Sequence, residues 1–450
     1  MRGGSIVLRG AELVLPDGVE TGDLAIVDGR IAAVGQVGEV AGEGVEQVDA
    51  RGLTVLPGII DPQVHFREPG APHKEDLASG SRAAAAGGVT AFLEMPNTSP
   101  PTTTPAALED KWRRAEGRCR AHYGFFFGAT PDNAGTVPDA AKVPGIKVFM
   151  GSSTGTLLVD DQAALEAQFA AATVPVVVHA EDETRLRERM AAFAGETDPA
   201  LHPVIRDELC ALIATRRAVE LARRHQKRLH VLHLSTAEET AFLRGLPREG
   251  LVTTETLPQY LWLDSSHYAA LGTRLQMNPP VRAKRHGEAL WAGLLDGTIA
   301  CIATDHAPHT LDEKALGFGK APSGMPGVEL SLPLMLHAVA SGRCSIRHVA
   351  RWMSEAPAWI YGMRGKGRLA VGYDGDVTVV DRSARRTVRA EDLHTRVGWS
   401  PFEGWTLTGW PVMTVLMGRP VFREGEFVEG VFGAALRFEH TGRLAPLPSL

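Results

Sequence analysis

Histidines and acids recur in this chain at the ends of short apolar runs, where metal or acid–base chemistry could be assembled. One run closes as Asp61-Pro62-Gln63-Val64-His65-Phe66-Arg67-Glu68-Pro69-Gly70, a second as Glu94-Met95-Pro96-Asn97-Thr98, and another as Ile146-Lys147-Val148-Phe149-Met150. Three more end in Val178-His179-Ala180-Glu181-Asp182, Leu232-His233-Leu234-Ser235 and Ala303-Thr304-Asp305-His306-Ala307-Pro308-His309. One histidine in such a place is ordinarily a hydrogen-bonded core residue. Several converging on one mouth are not: His65, His179, His233 and Asp305 offer the imidazole and carboxylate donors that borderline-soft divalent ions prefer, zinc first among them. A bound divalent ion lowers the pKa of its water to about 7 and polarises a carbonyl, which suits amide hydrolysis at neutral pH. Lys147 has two readings. It is a snorkelling or ion-paired lysine at a sheet end, or its amine is kept neutral by desolvation and takes up carbon dioxide to bridge two metals as a carbamate.

Those groups meet only if the chain brings them together. Eight apolar runs follow residue 57: Ile59 to Phe66, Val89 to Met95, His122 to Phe127, Gly145 to Met150, Val174 to His179, Leu229 to Leu234, Val252 to Thr256 and Ile299 to Asp305. Stretches rich in Ala, Leu, Glu and Arg separate them, such as Gln162 to Ala172 and Glu208 to Gln226. Strands alternating with helices predict an α/β fold of parallel units. Eight units over about 300 residues predict a (β/α)8 TIM barrel, with its chemistry at the C-terminal strand ends. A doubly wound open sheet is the rival, but no G-x-G-x-x-G opens a helix after the first strand. Residues 5 to 56 read as short strands broken by Asp-Gly turns, and the same texture returns at Gly367 to Leu369, Val377 to Asp381, Val412 to Met417 and Arg419 to Phe422. A small β-sandwich domain built from both chain ends is expected. The divisions are 1–56 for its N-terminal part, 57–364 for the barrel, and 365–450 for its C-terminal part and a tail.

Composition narrows the partners. Lys plus Arg number 47 against 53 Asp plus Glu, and a net charge of −6 is no footprint for nucleic acid. The apolar windows are too short and too often broken by Pro or Gly to span a membrane. The N-terminus lacks the apolar core of a secretory signal, and the four cysteines make no C-x-x-C pair, so a cytoplasmic location is expected.

The motifs D-x-x-V-H-F-R-E-P-G at 61–70, M-P-N-T at 95–98, K-V-F-M at 147–150, H-A-E-D at 179–182, N-P-P-V-R at 278–282 and D-H-A-P-H at 305–309 occur in one order along the chain. In this the sequence resembles the cyclic amidohydrolases of the metal-dependent amidohydrolase superfamily, and among them the dihydroorotases most closely, from roughly residue 5 to 430. The resemblance implies a carboxylated Lys147 and one or two zinc ions on His65, His179, His233 and Asp305. It further implies substrate contacts from Arg67, Asn97, Asn278 and His309, and from the backbone of the loop that holds Ser323 and Gly324. Arg67 could form a bidentate pair with a substrate carboxylate, so a small anionic cyclic ureide is expected. In the implied reaction Asp305 takes a water proton and passes it to the leaving ring nitrogen, opening dihydroorotate to N-carbamoyl-aspartate. The reverse cyclisation is the direction pyrimidine synthesis requires.

One position departs from the pattern. Most of the superfamily carries His-x-His at the end of the first strand, and here the first member is Gln63, whose amide oxygen is a poorer zinc ligand. Gln63 then coordinates weakly, water takes its place, or the more exposed metal position is only partly filled. A hydantoinase, dihydropyrimidinase or allantoinase would share the metal set without needing Arg67 and Asn97. Outside enzymes, the chain reads as an inactive scaffold for a partner such as aspartate transcarbamoylase, an idea that Gln63 supports and the retained Lys147, His179, His233 and Asp305 oppose. A homo-oligomer is a further expected assembly.

Overall fold

The computed structural model describes residues 3–38, 45–137, 139–153, 157–448 and 450. All eight expected runs form parallel strands: Ile59–Val64, Val89–Glu94, His122–Phe125 continued as Phe127–Gly128, Ile146–Phe149, Val176–His179, Leu229–Val231, Val252–Thr256 and Cys301–Ile302. The third strand breaks at Phe126, which divides the hydrogen bonding into a three-stranded and a six-stranded part. The ring closes on itself where Val64 bridges His306 and the His65 N–H donates to His306 O at 2.7 Å. A closed ring of parallel strands is a barrel, so the open-sheet alternative falls.

Helices follow the strands and begin close to the residues of interest. Asp182 caps Glu183–Ala192 three residues after His179, and Thr236 caps Ala237–Arg244 three residues after His233. Each side chain accepts a first-turn N–H that would otherwise lack a partner. The strand end is thereby fixed from behind. Glu208–His225 is the long helix foreseen from its pattern, and it stops where Gln226 turns left-handed.

The chain ends do come together. Thr54–Pro57 pairs antiparallel with the start of Val377–Thr387, with Val55 opposite Val379, and so joins the two ends in one mixed nine-stranded sheet. Gly4 N–H donates to Met417 O at 2.8 Å, so the halves of this sheet turn toward each other over Ile6, Leu8, Leu24, Ile26, Val55, Val377, Val379 and Val415. The N-terminal strand, Ile6–Val14, has an irregularity between Leu8 and Ala11 where Gly10 takes a positive φ. Gly367 to Leu369 forms no strand, although Leu369 is buried in the same core. Residues 388–405 leave the sheet to lie on the barrel, and Trp399 Nε1 donates to His309 O at 2.8 Å. No helix among the described residues is long and apolar enough to cross a membrane.

Candidate active site

Alternation along the first strand sends Gln63 and His65 to one side, toward the open end of the barrel. His65 turns Nε2 to Asp305 Oδ1 at 3.0 Å and Nδ1 to Asn97 Oδ1 at 2.7 Å. Gln63 Nε2 donates to the same Asp305 oxygen at 3.0 Å, and its Oε1 is buried without a hydrogen-bond partner. His179 Nδ1 faces His233 Nε2 at 3.1 Å. Behind this pair, His179 Nε2 meets Glu181 Oε2 at 2.9 Å, and Glu181 is gripped by Arg206. A carboxylate behind an imidazole sets its tautomer, so the proton sits on Nε2 and the Nδ1 lone pair is left toward His233. The far nitrogen of His233, Nδ1, is also buried and unpartnered.

Gln63, His65, His179, His233 and Asp305, with Lys147, Arg67, Asn278, Ser323 and Gly324, line a single cavity, joined there by Phe149, Ser153 and Ala307. Asn97 and His309 stand one step behind it, Asn97 against His65 and His309 beside Arg67. Three of the non-glycine lining residues hold left-handed backbone: Arg67 at φ 62°, His233 at 38° and Asp305 at 48°. Such conformations cost energy in non-glycine residues and gather at functional sites.

Burial governs the charges. It pulls His65, His179 and His233 below the usual imidazole range, and the Lys147 ammonium pushes each of them further down. Neutral imidazoles are what a metal requires. Burial also brings Lys147 down to about 7, against the opposing pull of Asp305 and Glu255. Glu181 would be raised by burial, but Arg206 and His179 hold it well below the carboxylate range.

On the cavity's cationic side, Glu68 pairs with Arg114 and Arg118, not with its neighbour Arg67. The buried Arg67 guanidinium is left without an ion-pair partner among the described residues. Burial lowers it to about 10, so it remains charged at neutral pH. Its Nε donates to Pro308 O at 3.2 Å, and Nη2 lies 3.1 Å from His309 Nε2. His309 is held neutral by burial and by the charges of Arg67, Lys74 and Lys314. Lys74 donates to its Nδ1 at 3.1 Å, which leaves Nε2–H for Ser323 O at 3.1 Å.

A second group of donors lies deeper. His230, Glu255 and Cys301 have donor atoms within 4.8 Å of one another and are fully buried, His230 three residues before His233 and Cys301 four before Asp305. His230 there already bonds Glu255 Oε2 at 3.0 Å and Thr253 Oγ1 at 2.9 Å. Burial pushes the Cys301 thiol well up, away from the thiolate a metal needs.

A closed barrel that gathers neutral imidazoles, a carboxylate and a buried lysine at one mouth is built as a metal-dependent hydrolase. The chain belongs to the amidohydrolase family, whose model matches residues 54–421. It is 36% identical over 430 residues to a dihydroorotase of Methanothermobacter thermautotrophicus, covering 94% of this chain and 96% of that one. It is also 37% identical to an allantoinase of Rubrobacter xylanophilus, over 96% and 97% of the two chains. Among solved structures, the L-hydantoinase (dihydropyrimidinase) of Arthrobacter aurescens superposes with a TM-score of 0.91 at 30% identity, over 97% and 100% of the chains. The protein is a hydrolase of cyclic amides within a metal-dependent family, and the reading as an inactive scaffold is set aside.

The sequence reading overlooked Glu181, Arg206, Lys74 and Trp399. Glu181 had a signal: two residues beyond His179, it shares that side of the chain. Arg206, Lys74 and Trp399 reach the site from separate loops and left no local mark.

Proposed function

We propose that this protein is a dihydroorotase, opening the ring of dihydroorotate to N-carbamoyl-aspartate and closing it in reverse. The observation that carries this reading is the buried, ion-pair-free Arg67 guanidinium on the wall of the cavity that also holds the metal donors. A buried cation with no direct ion pair is costly even in the field of Asp305, Glu94, Glu313 and Glu75, and a substrate carboxylate is the group that would pair with it.

The donor set fits a divalent ion such as zinc: two imidazole nitrogens face each other, and Gln63 Oε1 and His233 Nδ1 have no protein partner. His65, His179, His233 and Asp305 would hold one or two ions, and Lys147, as a carbamate, would add a further donor. When bound, such an ion supplies an acidified water and polarises the ring carbonyl. Asp305, steadied by Gln63, accepts the water's proton on its carboxylate and delivers it to the ring nitrogen as the carbon–nitrogen bond breaks. Arg67 grips the ring carboxylate, while Asn278 and the Ser323–Gly324 backbone border the ring. Asn97 and His309 act through their neighbours, Asn97 orienting His65 and His309 holding the Ser323 carbonyl. We place the metal at this mouth because the deeper His230–Glu255–Cys301 group contains a thiol that burial keeps protonated. Four unpaired cysteines support a cytoplasmic location.

The second reading, a hydantoinase or allantoinase, is favoured by the similarity to those enzymes. Turnover of dihydroorotate, dihydrouracil, hydantoin and allantoin by the metal-loaded protein separates the two. Preference for an uncharged ring would defeat the dihydroorotase assignment. Arg67→Met is expected to raise KM for dihydroorotate by about 10²-fold, because the bound carboxylate then lies unpaired. A KM within a few-fold of the parent would remove Arg67 from substrate binding.

Gln63 bears on stoichiometry. Gln63→His restores a strong nitrogen donor beside His65, and elemental analysis is expected to show zinc rising from about one toward about two ions per chain. Equal contents in the two proteins would mean that Gln63 does not limit occupancy.

A further inference from the structure

Leu311–Lys314 is one helical turn capped by Thr310, and it ends in a lysine that is 1% exposed. The Lys314 ammonium donates to three main-chain carbonyls: Gln276 O at 3.0 Å, Pro322 O at 2.8 Å and Gly324 O at 2.9 Å. It thereby ties together two segments beside the cavity. Gln276 reinforces the tie, its Nε2 donating to Ala321 O and to Ser323 Oγ, both at 3.1 Å, while Gly324 N–H returns to Gln276 O at 2.9 Å. The loop is also pressed close to the segment that carries Asp305 beyond the eighth strand. Gly324 sits at φ 137°, and a Cβ there would come within 2.4 Å of Ala307 O. Of these residues, Ala307, Ser323 and Gly324 line the cavity, and Lys314 does not.

The charge of Lys314 has little local compensation. Glu313 is the acid whose field favours its ammonium, while Arg67 opposes it. Burial, with Arg67, brings the amine down to about 7. Three carbonyl acceptors favour the charged form. Arg67, Lys74 and Lys314 all act on the neutral ring of His309, so three cations stand on one side of the cavity and only Arg67 lines it.

Resting on the anionic-ring reading above, we propose that Lys314 is a specificity-determining positioning residue. It draws the Ala321–Gly324 loop onto the cavity and sets a buried positive charge behind Arg67, so that the site takes an acid-bearing ring over its uncharged counterpart. Neither effect requires Lys314 to touch the substrate.

Orotate and uracil are flat rings that differ by one carboxylate, and calorimetric titration of each into the metal-loaded full chain reads binding without turnover. Lys314→Met is expected to weaken orotate by at least about tenfold and uracil by less than about threefold. Equal weakening of both ligands, or undiminished orotate binding, overturns the proposal. Lys314→Gln is closer in polarity and answers the same question if the Met variant does not fold. A parent protein that binds uracil and not orotate refutes the anionic-ring reading itself, whereas orotate binding that survives the loss of Lys314 refutes only the role given to this lysine.

Discussion

Asn in place of Asp305 is expected to lower kcat for ring opening by a factor of about 10² to 10⁴, the usual contribution of a positioned proton-transfer group. Asp305 lies three residues beyond the eighth strand in a left-handed conformation, which asparagine tolerates well among non-glycine residues. The substitution keeps the side-chain shape and one oxygen for Gln63 Nε2 and His65 Nε2, now 3.0 Å away in both cases. What disappears is the base. Steady-state kinetics with elemental analysis of the same samples tells the proton role from the ligand role: a low kcat with zinc retained isolates proton transfer. Turnover close to that of the parent would remove Asp305 from the mechanism.

Lys147→Ala is expected to lose bound zinc and, with it, all measurable turnover. Few other substitutions at the mouth remove a donor, a charge and the floor of the cavity together. A companion experiment uses the unaltered protein. Burial brings the Lys147 amine to about 7, so the neutral form that attacks carbon dioxide predominates above that pH and the inert ammonium below it. Restoring zinc to stripped protein is therefore expected to be faster with bicarbonate than without, and faster near about pH 8 than near about pH 6. Intact mass spectrometry should find one added carbon dioxide on the reconstituted chain. Reconstitution indifferent to both bicarbonate and pH would leave Lys147 as an ordinary buried lysine.

The legible parts of this protein are those that repeat with the period of a strand. His65, Lys147, His179, His233 and Asp305 could be named because each follows or interrupts an apolar run, and a barrel turns a row of run ends into one mouth. All five do line one cavity. The eight runs themselves were read within a few residues, and the late return of strand texture foretold the joining of the chain ends. Side chains whose partners are backbone atoms or distant loops left no such trace. Lys314 stands in an ordinary charged stretch, Leu-Asp-Glu-Lys, and only the folded chain reveals that its ammonium is enclosed by three carbonyls. Arg206 and Trp399 escape for the same reason. Neighbours in sequence are not partners here: Glu68 stands next to Arg67, yet Arg114 on the helix Pro105–Ala115 and Arg118 just beyond it take its carboxylate and leave Arg67 to the cavity.

The pairing of Val55 with Val379 has a consequence for biogenesis. The first strands leave the ribosome long before their partner strand has been made, and the entire barrel is synthesised in the interval. Until Val377–Thr387 arrives, Thr54–Pro57 presents an unpaired edge of the kind that invites pairing with a neighbouring chain. Barrel units, each assembled from adjacent segments, can form as they emerge, whereas the mixed sheet is a late and non-local closure. Nascent chains halted before residue 377 should therefore hold much of the barrel and none of the closed sheet, making the first fifty residues the segment most in need of a chaperone.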